Sequence, residues 1–372
     1  YNSGITSIEL PATLETIGNY AFHNCSALTE INYNAVSVSD LKTRNRVFSY
    51  AGQDGDGITV NFGEGVETIP AFLFYPYFNV PSYAPNIKVV NFSSTVTSIG
   101  NYAFQYCSGL TEVDLSNCTS LTSIGSYAFS NCSGLTGALD LSNCTSLTSI
   151  GEWAFNGCSG LTSITLPSSL TSIGGSAFSS CSGLTSITLS SSLTSIGGSA
   201  FFGCRALTEI NYNAVSVADL SEERNYVFAY AGQDGAGITV NFGEGVENIP
   251  AYLFYPYSNT SYAPNIKAVN FSSTITSIGT YAFYNCSGIE TLECKGTVKQ
   301  WVSIEFGSSW IIGASYKFIV NGEELINLVA PEGVVSINDY AFYNCSSLTS
   351  IDLDNCTSLT SIGRHAFRGC SG

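Results

Sequence analysis

Residues Leu161 to Gly183 read LTSITLPSSLTSIGGSAFSSCSG, and the next 23 residues, Leu184 to Ala206, read LTSITLSSSLTSIGGSAFFGCRA. The large apolar residues of the first passage are Leu161, Ile164, Leu166, Leu170, Ile173 and Phe178; Ala177 and Cys181 are small and apolar. The spacing fits neither a helix face nor strict alternation. It fits a short strand entered by a turn, with Ile164 and Leu166 pointing one way and Thr165 the other. Pro167 ends the strand, Leu170 and Ile173 return along an opposite wall, Gly174 permits a turn, and Ala177-Phe178-x-x-Cys181 closes the coil. Six large side chains cannot offset the backbone entropy of 23 ordered residues. The coil must therefore bury its apolar residues against copies above and below, which is the logic of a solenoid.

The corner phenylalanine is the ruler. It recurs at Phe22, Phe104, Phe129, Phe155, Phe178, Phe201, Phe283, Phe342 and Phe367, with weaker equivalents at Phe48, Phe74, Phe228 and Phe254. Most steps are 23 to 30 residues, and the step of 59 from Phe283 to Phe342 hides at least one irregular coil. About 14 coils at about 4.8 Å per strand give an inner arc of roughly 65 Å. A larger duplication overlies this one: residues 27–104 and 206–283 share NYNAVSV, YAGQDG, GITVNFGEGVE and SYAPNIK. Within the copies, Ser39–Tyr50 and Ala218–Tyr230 read as helices, each with Asp-Leu near its start and a Gly just after its end. Their outward charges differ, Lys42, Arg44 and Arg46 against Glu222, Glu223 and Arg224, so that face reads as solvated rather than ligand-bearing. Residues 289–330 break the pattern: Trp301, Trp310, Tyr316 and Phe318 cluster there, and Asn321-Gly322 marks a hairpin turn. They read as an elaborated coil, with a separate binding insert as the alternative.

The recurrent L-x-x-I-x-L-P-x-x-L-x-x-I-G-x-x-A-F-x-x-C resembles the Treponema-type, or BspA-like, leucine-rich repeat of bacterial surface proteins, over nearly the whole of 1–372. The resemblance implies one right-handed leucine-rich-repeat solenoid with a parallel concave sheet of short strands, turns and a few short helices on the convex side. It also implies secretion to the extracellular space or cell surface and a role in adhesion. Residues 289–330 and the Tyr- and Pro-rich corners depart from the pattern.

Composition narrows the function. Acidic residues outnumber basic ones 28 to 12, a net charge of −16, and only 11% of residues are charged. That field repels nucleic-acid phosphate and anionic membrane surfaces. No apolar run approaches the ~20 residues that span a bilayer. The chain stops at Gly372, where a new Leu-led unit is due, and reads as a segment of a longer protein, monomeric and without cofactor.

Of 13 cysteines, nine sit in the A-F-x-x-C corner and three in N-C-T-S-L, at Cys118, Cys144 and Cys356; Cys294 stands alone. At the same corner of other coils stand Ala51, Tyr77, Ala231 and Tyr257, so the position reads as a buried apolar one with a free thiol, not a disulfide or metal ligand. Gln53-Asp54-Gly55-Asp56-Gly57 resembles the start of a calcium loop, but the second copy has Ala236 in place of the second Asp, and a turn fits better. Asn117-Cys118-Thr119 and its relatives match a glycosylation acceptor only because of the repeat. His23 and His365 lie far apart along the array, and Asp352 and Asp354 flank Leu353 on a strand with no cleft implied. The chain reads as non-enzymatic.

Two surfaces remain for binding a host or bacterial surface protein or glycan. The concave sheet offers a carpet of hydroxyls, amides and acids: Thr29, Glu30, Asn32, Glu112, Asp114, Asp140, Thr162, Thr165, Glu209, Asn211 and Asp352. The duplicated aromatic corner loops, 74–85 and 254–264, offer Tyr75, Tyr83, Tyr255 and Tyr262 as candidate exposed anchors, while Tyr77 and Tyr257 fill the cysteine corner. Seven coils separate the two loops, about 34 Å at 4.8 Å per coil, a spacing suited to avidity. If all four rings instead cover the coil edge, the passive-spacer reading gains.

Overall fold

Each coil runs through a long strand, a two-residue strand and a corner. In the coil of 161–183, Leu161–Thr165 is the long strand, Ser172–Ile173 the short one and 174–181 the corner. Leu161, Ile164, Leu170, Ile173, Ala177, Phe178 and Cys181 are all buried, as their spacing predicts, whereas Leu166 is half-buried. The computed structural model describes residues 4–76, 80–221, 225–256 and 260–372. The chain divides into two compact units, Tyr1–Leu184 with Ser195–Cys204, and Thr185–Thr194 with Arg205–Gly372.

Both units are parallel leucine-rich-repeat solenoids. In the first, Ser7–Leu10, Glu30–Tyr33, Ile58–Phe62, Ile87–Asn91 and Glu112–Asp114 form one parallel sheet. The short strands from Thr68–Ile69 to Ser195–Ile196 form a second, six-stranded sheet. In the second unit the long strands from Ser186–Leu189 to Lys317–Val320 pair in parallel. The inward residue stays in register throughout: Ile8, Ile31, Val60, Val90 and Val113 in the first unit, Ile187, Ile210, Val240, Val269, Leu292 and Phe318 in the second.

At the corner the backbone N–H groups serve two masters in alternation. Tyr102, Phe104 and Tyr106 donate to the carbonyls of Ser126, Ala128 and Ser130 in the next coil. Ala103, Gln105 and Cys107 donate back within their own turn, to Gly100, Tyr102 and Phe104. Reversing the peptide direction at every other residue puts Tyr102 and Tyr106 in the left-handed region, at φ 60° and 64°. The first of these positions, just before Ala-Phe, recurs from Tyr20 to His365 and marks about 14 turns. Gly174 has a different role from the turn expected of it. Its φ is ordinary, and a Cβ there would stand 2.5 Å from the backbone nitrogen of Glu152, so it permits close approach of adjacent coils.

The corner phenylalanines stack. From Phe22 through Phe48, Phe74, Phe104, Phe129, Phe155 and Phe178 to Phe201, successive ring centroids lie 5.0 to 5.5 Å apart. That is one strand spacing, slightly stretched.

The helices expected at Ser39–Tyr50 and Ala218–Tyr230 are not there. Residues 39–50 form turns and irregular chain, as do the described residues of 218–230; Glu222, Glu223 and Arg224 lie outside the described residues. The physical reason is competition from neighbouring coils. The carbonyls of Asn45, Val47 and Ser49 accept from Tyr20, Phe22 and Asn24 of the preceding coil, and are lost to an i, i+4 ladder. Asp40, read as a helix start, accepts instead from the backbone N of Ala71 at 2.9 Å, and Asp219 from that of Ala251 at 2.8 Å. The α-helix that does form among the described residues is Val298–Val302, begun by a capping box between Thr297 and Gln300; Pro81–Tyr83 and Thr260–Tyr262 are single 3-10 turns.

The irregular stretch 289–330 makes a corner of its own. Tyr281, Phe283 and Asn285 donate to Ser308, Trp310 and Ile312, the bonds that other coils make to x-A-F-x corners. Trp310 thus stands at the Ala position and Ile311 at the Phe position. Ser309 and Gly313 supply the left-handed residues, at φ 52° and 87°, and Ala314 takes the Cys place. The large and small residues have exchanged places, and Trp310 is fully buried, its Nε1 donating to Tyr340 O at 3.4 Å. Asn321-Gly322, both at positive φ, turn the antiparallel pair of Ile319–Val320 with Glu323–Glu324.

Phe178 is fully buried between Phe155 and Phe201, so Phe178→Ala is expected to cost about 3–5 kcal/mol in denaturant unfolding. A loss below about 1 kcal/mol would contradict the stacked core. Trp310→Ala should be similarly damaging, and adding Ile311→Phe should recover part of the loss, because the pair then restores the Ala-Phe corner. Equal midpoints for the single and double variants would refute the exchange.

Candidate binding surface

The aromatic corner loops do not present all their rings. Tyr75 is only 9% exposed, edge-on to Phe72 at 5.3 Å and Tyr102 at 5.8 Å. Tyr255 is likewise 9% exposed, against Tyr252 at 5.3 Å and Tyr284 at 5.5 Å. The expectation that these two stand in solvent is therefore corrected: neighbouring corners supply aromatic surface, and burying a ring there removes it from water. Tyr83 and Tyr262 are half-buried. Tyr83 lies 5.0 Å from the ring of Tyr50, and Tyr262 lies 4.9 Å from that of Tyr230. Each pair is tied by a backbone bond, Tyr50 N to Tyr83 O at 3.1 Å and Tyr230 N to Tyr262 O at 2.9 Å. Tyr77 and Tyr257, expected in the cysteine corner, lie outside the described residues.

A row of rings that the repeat consensus hides as an "x" is more exposed. The left-handed residue before Ala-Phe points its side chain away from the core, and in register these side chains stack. In the first unit Phe72, Tyr102, Tyr127 and Trp153 follow one another at 4.7, 4.7 and 5.8 Å, with interplanar angles of 9°, 6° and 5°. Trp153 is 36% exposed and the other three are half-buried. At the other end Arg46 holds its guanidinium 5.2 Å from the ring of Tyr20. The sequence signal was present: the residue before Ala-Phe is Tyr or Trp in Tyr20, Tyr102, Tyr127, Trp153, Tyr281 and Tyr340.

The long-strand face carries the hydroxyl, amide and acid carpet, every member exposed or half-exposed. Its middle row is organised further. Asn61 Nδ2 donates to Asn32 Oδ1 at 2.9 Å, and Asn91 Nδ2 to Asn61 Oδ1 at 2.7 Å. The second copy repeats the ladder, Asn241 to Asn211 at 2.9 Å and Asn270 to Asn241 at 2.7 Å. Glu30 and Glu209 accept from Asn61 and Asn241. In-register amides satisfy one another along the ladder as backbone groups do, which accounts for Asn at these positions without a ligand.

A family model described as the BspA type leucine-rich repeat region matches six times, over residues 1–83, 79–144, 110–232, 137–261, 257–314 and 314–372. The chain belongs to the BspA-type leucine-rich repeats. Among solved structures it is similar to a leucine-rich repeat protein from Bacteroides ovatus, at 22% identity and TM-score 0.46, covering 98% of this chain and 85% of that one. A leucine-rich cell surface protein from Faecalibacterium prausnitzii is also 22% identical, with TM-score 0.38 and coverage of 100% and 92%. The leucine-rich repeat protein of Treponema pallidum is 19% identical over 58% of this chain and 76% of that one, with TM-score 0.31. No curated protein matches the chain.

The cysteines of these BspA-type repeats have a structural use that the sequence did not reveal. All 13 are free, 12 of them buried. The thiols of Cys132, Cys158, Cys181 and Cys204 donate to the carbonyls of Phe104, Phe129, Phe155 and Phe178 in the preceding coil, at 3.2 to 3.3 Å. Cys118, Cys144 and Cys356 do the same at the other turn, toward Ser93, Leu115 and Ala330. A thiol is a weak donor, which fits the acceptance of Ala51 and Ala231, both fully buried, in the same place.

The carboxylates and histidines have local roles as well. The Asp54 carboxylate accepts from Ser26 Oγ, and 51–56 is a turn. Asp234 faces Arg205 at 3.7 Å. Among the described residues no group of three His, Cys, Asp or Glu side chains is placed to hold a metal ion. His23 packs between the rings of Tyr20 at 5.4 Å and Tyr50 at 5.5 Å. A shallow depression in the second unit is lined by Asp219, Ser277, Glu305 and Phe306.

Burial pushes the thiols up, Cys118 and Cys181 to about 12 and Cys144 to about 11, from an ordinary value of 9.0. The unfolded chain therefore sheds these protons first, and alkali favours it. The thiol contribution to stability should be level below about pH 8 and fall as the pH rises from about 9 toward 11–12. Urea midpoints at pH 8 and pH 10.5 read this, and Cys158→Ala with Cys181→Ala should flatten the fall. An identical fall in the variant would exclude these two thiols as its cause. A thiol reagent should find close to 13 groups after unfolding and few before.

Proposed function

We propose that this chain is a non-catalytic binding module displayed on a bacterial surface or secreted, acting in adhesion to a host or bacterial surface protein or glycan. Its membership of the BspA-type repeats and its similarity to a protein named as a cell surface protein support display. The observation that carries binding is the row Phe72, Tyr102, Tyr127 and Trp153. It holds four in-register rings, one of them 36% exposed, whereas the other exposed large apolar residues, such as Val36, Val329 and Val335, are mostly aliphatic. Rigid aromatic anchors bring large contact area at small entropic cost, and they dominate binding hot spots. Tyr83 and Tyr262 are auxiliary candidates. Among the described residues no helix is long and apolar enough to cross a membrane. The net charge of −16 disfavours nucleic acid and anionic lipid as partners.

The burial of Tyr75 and Tyr255 favours a second reading, a passive spacer that holds other domains away from the cell. The immobilised chain, screened against arrayed matrix proteins, bacterial surface proteins and glycans, separates the two. The binding reading expects at least one saturable partner, weakened by Tyr127→Ala or by Tyr83→Ala. A chain that retains nothing across the arrays is a spacer.

A further inference from the structure

The aromatic row stops at Trp153, and the manner of its stopping makes a site. Each step of the row is set by one backbone bond between corners: Tyr127 N to Glu152 O, Trp153 N to Gly175 O and Ser176 N to Gly198 O, each 2.9 Å. The left-handed residues keep one conformation, φ 58° at Tyr127 and Trp153, 54° at Ser176 and 59° at Ser199. The geometry that seats one ring on the next therefore continues past Trp153, but the next two positions are serines. One indole face is stacked on Tyr127 at 5.8 Å. No ring of the described residues stacks on the other. Ser176 is buried and forms a floor, Ser199 is half-exposed, and Gly174-Gly175 and Gly197-Gly198 precede them with no side chains. A Cβ on Gly175 would meet nothing nearer than Gly198 O at 3.5 Å. Beside the indole, at the positions where earlier coils carry a ring, the row offers only two serines and the glycine peptides.

From this we infer that Trp153 with Ser176 and Ser199 is a subsite for a neutral pyranose of a glycan chain; the inference rests on the binding reading above and names its ligand. A pyranose is about as thick as an aromatic ring. Its axial C–H bonds form an apolar face whose positive hydrogens suit the negative face of an indole. Its equatorial hydroxyls point sideways, toward the Ser199 hydroxyl and the glycine peptides. Charge selects neutrality. Between Lys88 and Arg205 the chain has no Lys or Arg, and the exposed residue beside Trp153 is Glu152. A sialylated, uronic or sulfated sugar would find no cation there and would meet a carboxylate. One stacked sugar binds weakly, so affinity for a cell surface comes from many copies of the sugar and of the protein.

Of the three tryptophans, Trp301 and Trp310 are fully buried and Trp153 is exposed, so intrinsic fluorescence reports the site directly. The intact chain is titrated with neutral oligosaccharides of glucose, galactose, mannose and N-acetylglucosamine, and with sialyllactose and heparin fragments. The expected result is a saturable change in emission with at least one neutral series, unaltered by 0.5 M salt, and none with the anionic sugars. Binding measured by calorimetry should fall at least tenfold in Trp153→Ala. Ser176→Tyr, which extends the row as Tyr does in other coils, should abolish binding without lowering the melting temperature. Failure of every neutral series overturns the inference, as does binding that survives both variants. A chain that captures a protein on the arrays but no sugar keeps the binding reading and loses this one; a chain that captures neither loses both.

Discussion

The structure depends on one constraint: every corner N–H that faces a neighbouring coil must find that coil's carbonyl. Alternate residues of the corner turn their peptides outward and inward, so in most coils two positions fall in the left-handed region; in the corners of Phe72 and Tyr252 only the first does, the second being Pro76 or Pro256. Non-glycine residues there cost of order 1–2 kcal/mol. Asn24, Asn131, Asn285 and Asn344, Gly157, Gly203 and Gly369 ease this before the cysteine. The first of the two positions is aromatic in Phe72, Tyr102, Tyr127 and Trp153, and their stacking at 4.7 to 5.8 Å returns part of the cost. Inter-coil bonding, strained backbone and surface aromatics are thus one arrangement.

Identical register then propagates to everything else. A phenylalanine seated at one corner seats the next at one strand spacing, and thiols fall under the carbonyls of the coil before. Asparagines on the long strands meet amide to amide in both copies of the duplication. The corner of 309–314 shows how much variation this tolerates. Trp310 and Ile311 exchange the sizes of Ala and Phe while the hydrogen bonds persist. Backbone register is kept there at the expense of side-chain identity, the reverse of a core specified by shape alone.

The surface follows from the same logic. An array of coils offers faces rather than clefts, and what distinguishes one patch from another is the residue at each outward position. Where that residue is aromatic over successive coils, rings stack and show their edges. Where the run gives way to serine, as after Trp153, a ring face is left beside small residues.

The sequence by itself determined the coil. The spacing of Leu161, Ile164, Leu170, Ile173 and Phe178, repeated along the chain, admits one way of burying those residues, and the buried positions agree with it. That Cys corners accept Ala was likewise legible, and so was their apolar character. The tertiary structure alone decided what happens between coils. Residues 39–50 look helical because local propensity favours a helix; their carbonyls are taken by residues some 25 positions earlier. Tyr75 and Tyr255 look exposed because Pro and Tyr mark loops; rings of adjacent corners cover them. The row ending at Trp153 was visible only as a variable letter, because contact between side chains one coil apart is a property of register. A pattern read along one coil fixes which residues go inside, whereas the partners of the outward ones are set by the neighbouring coil.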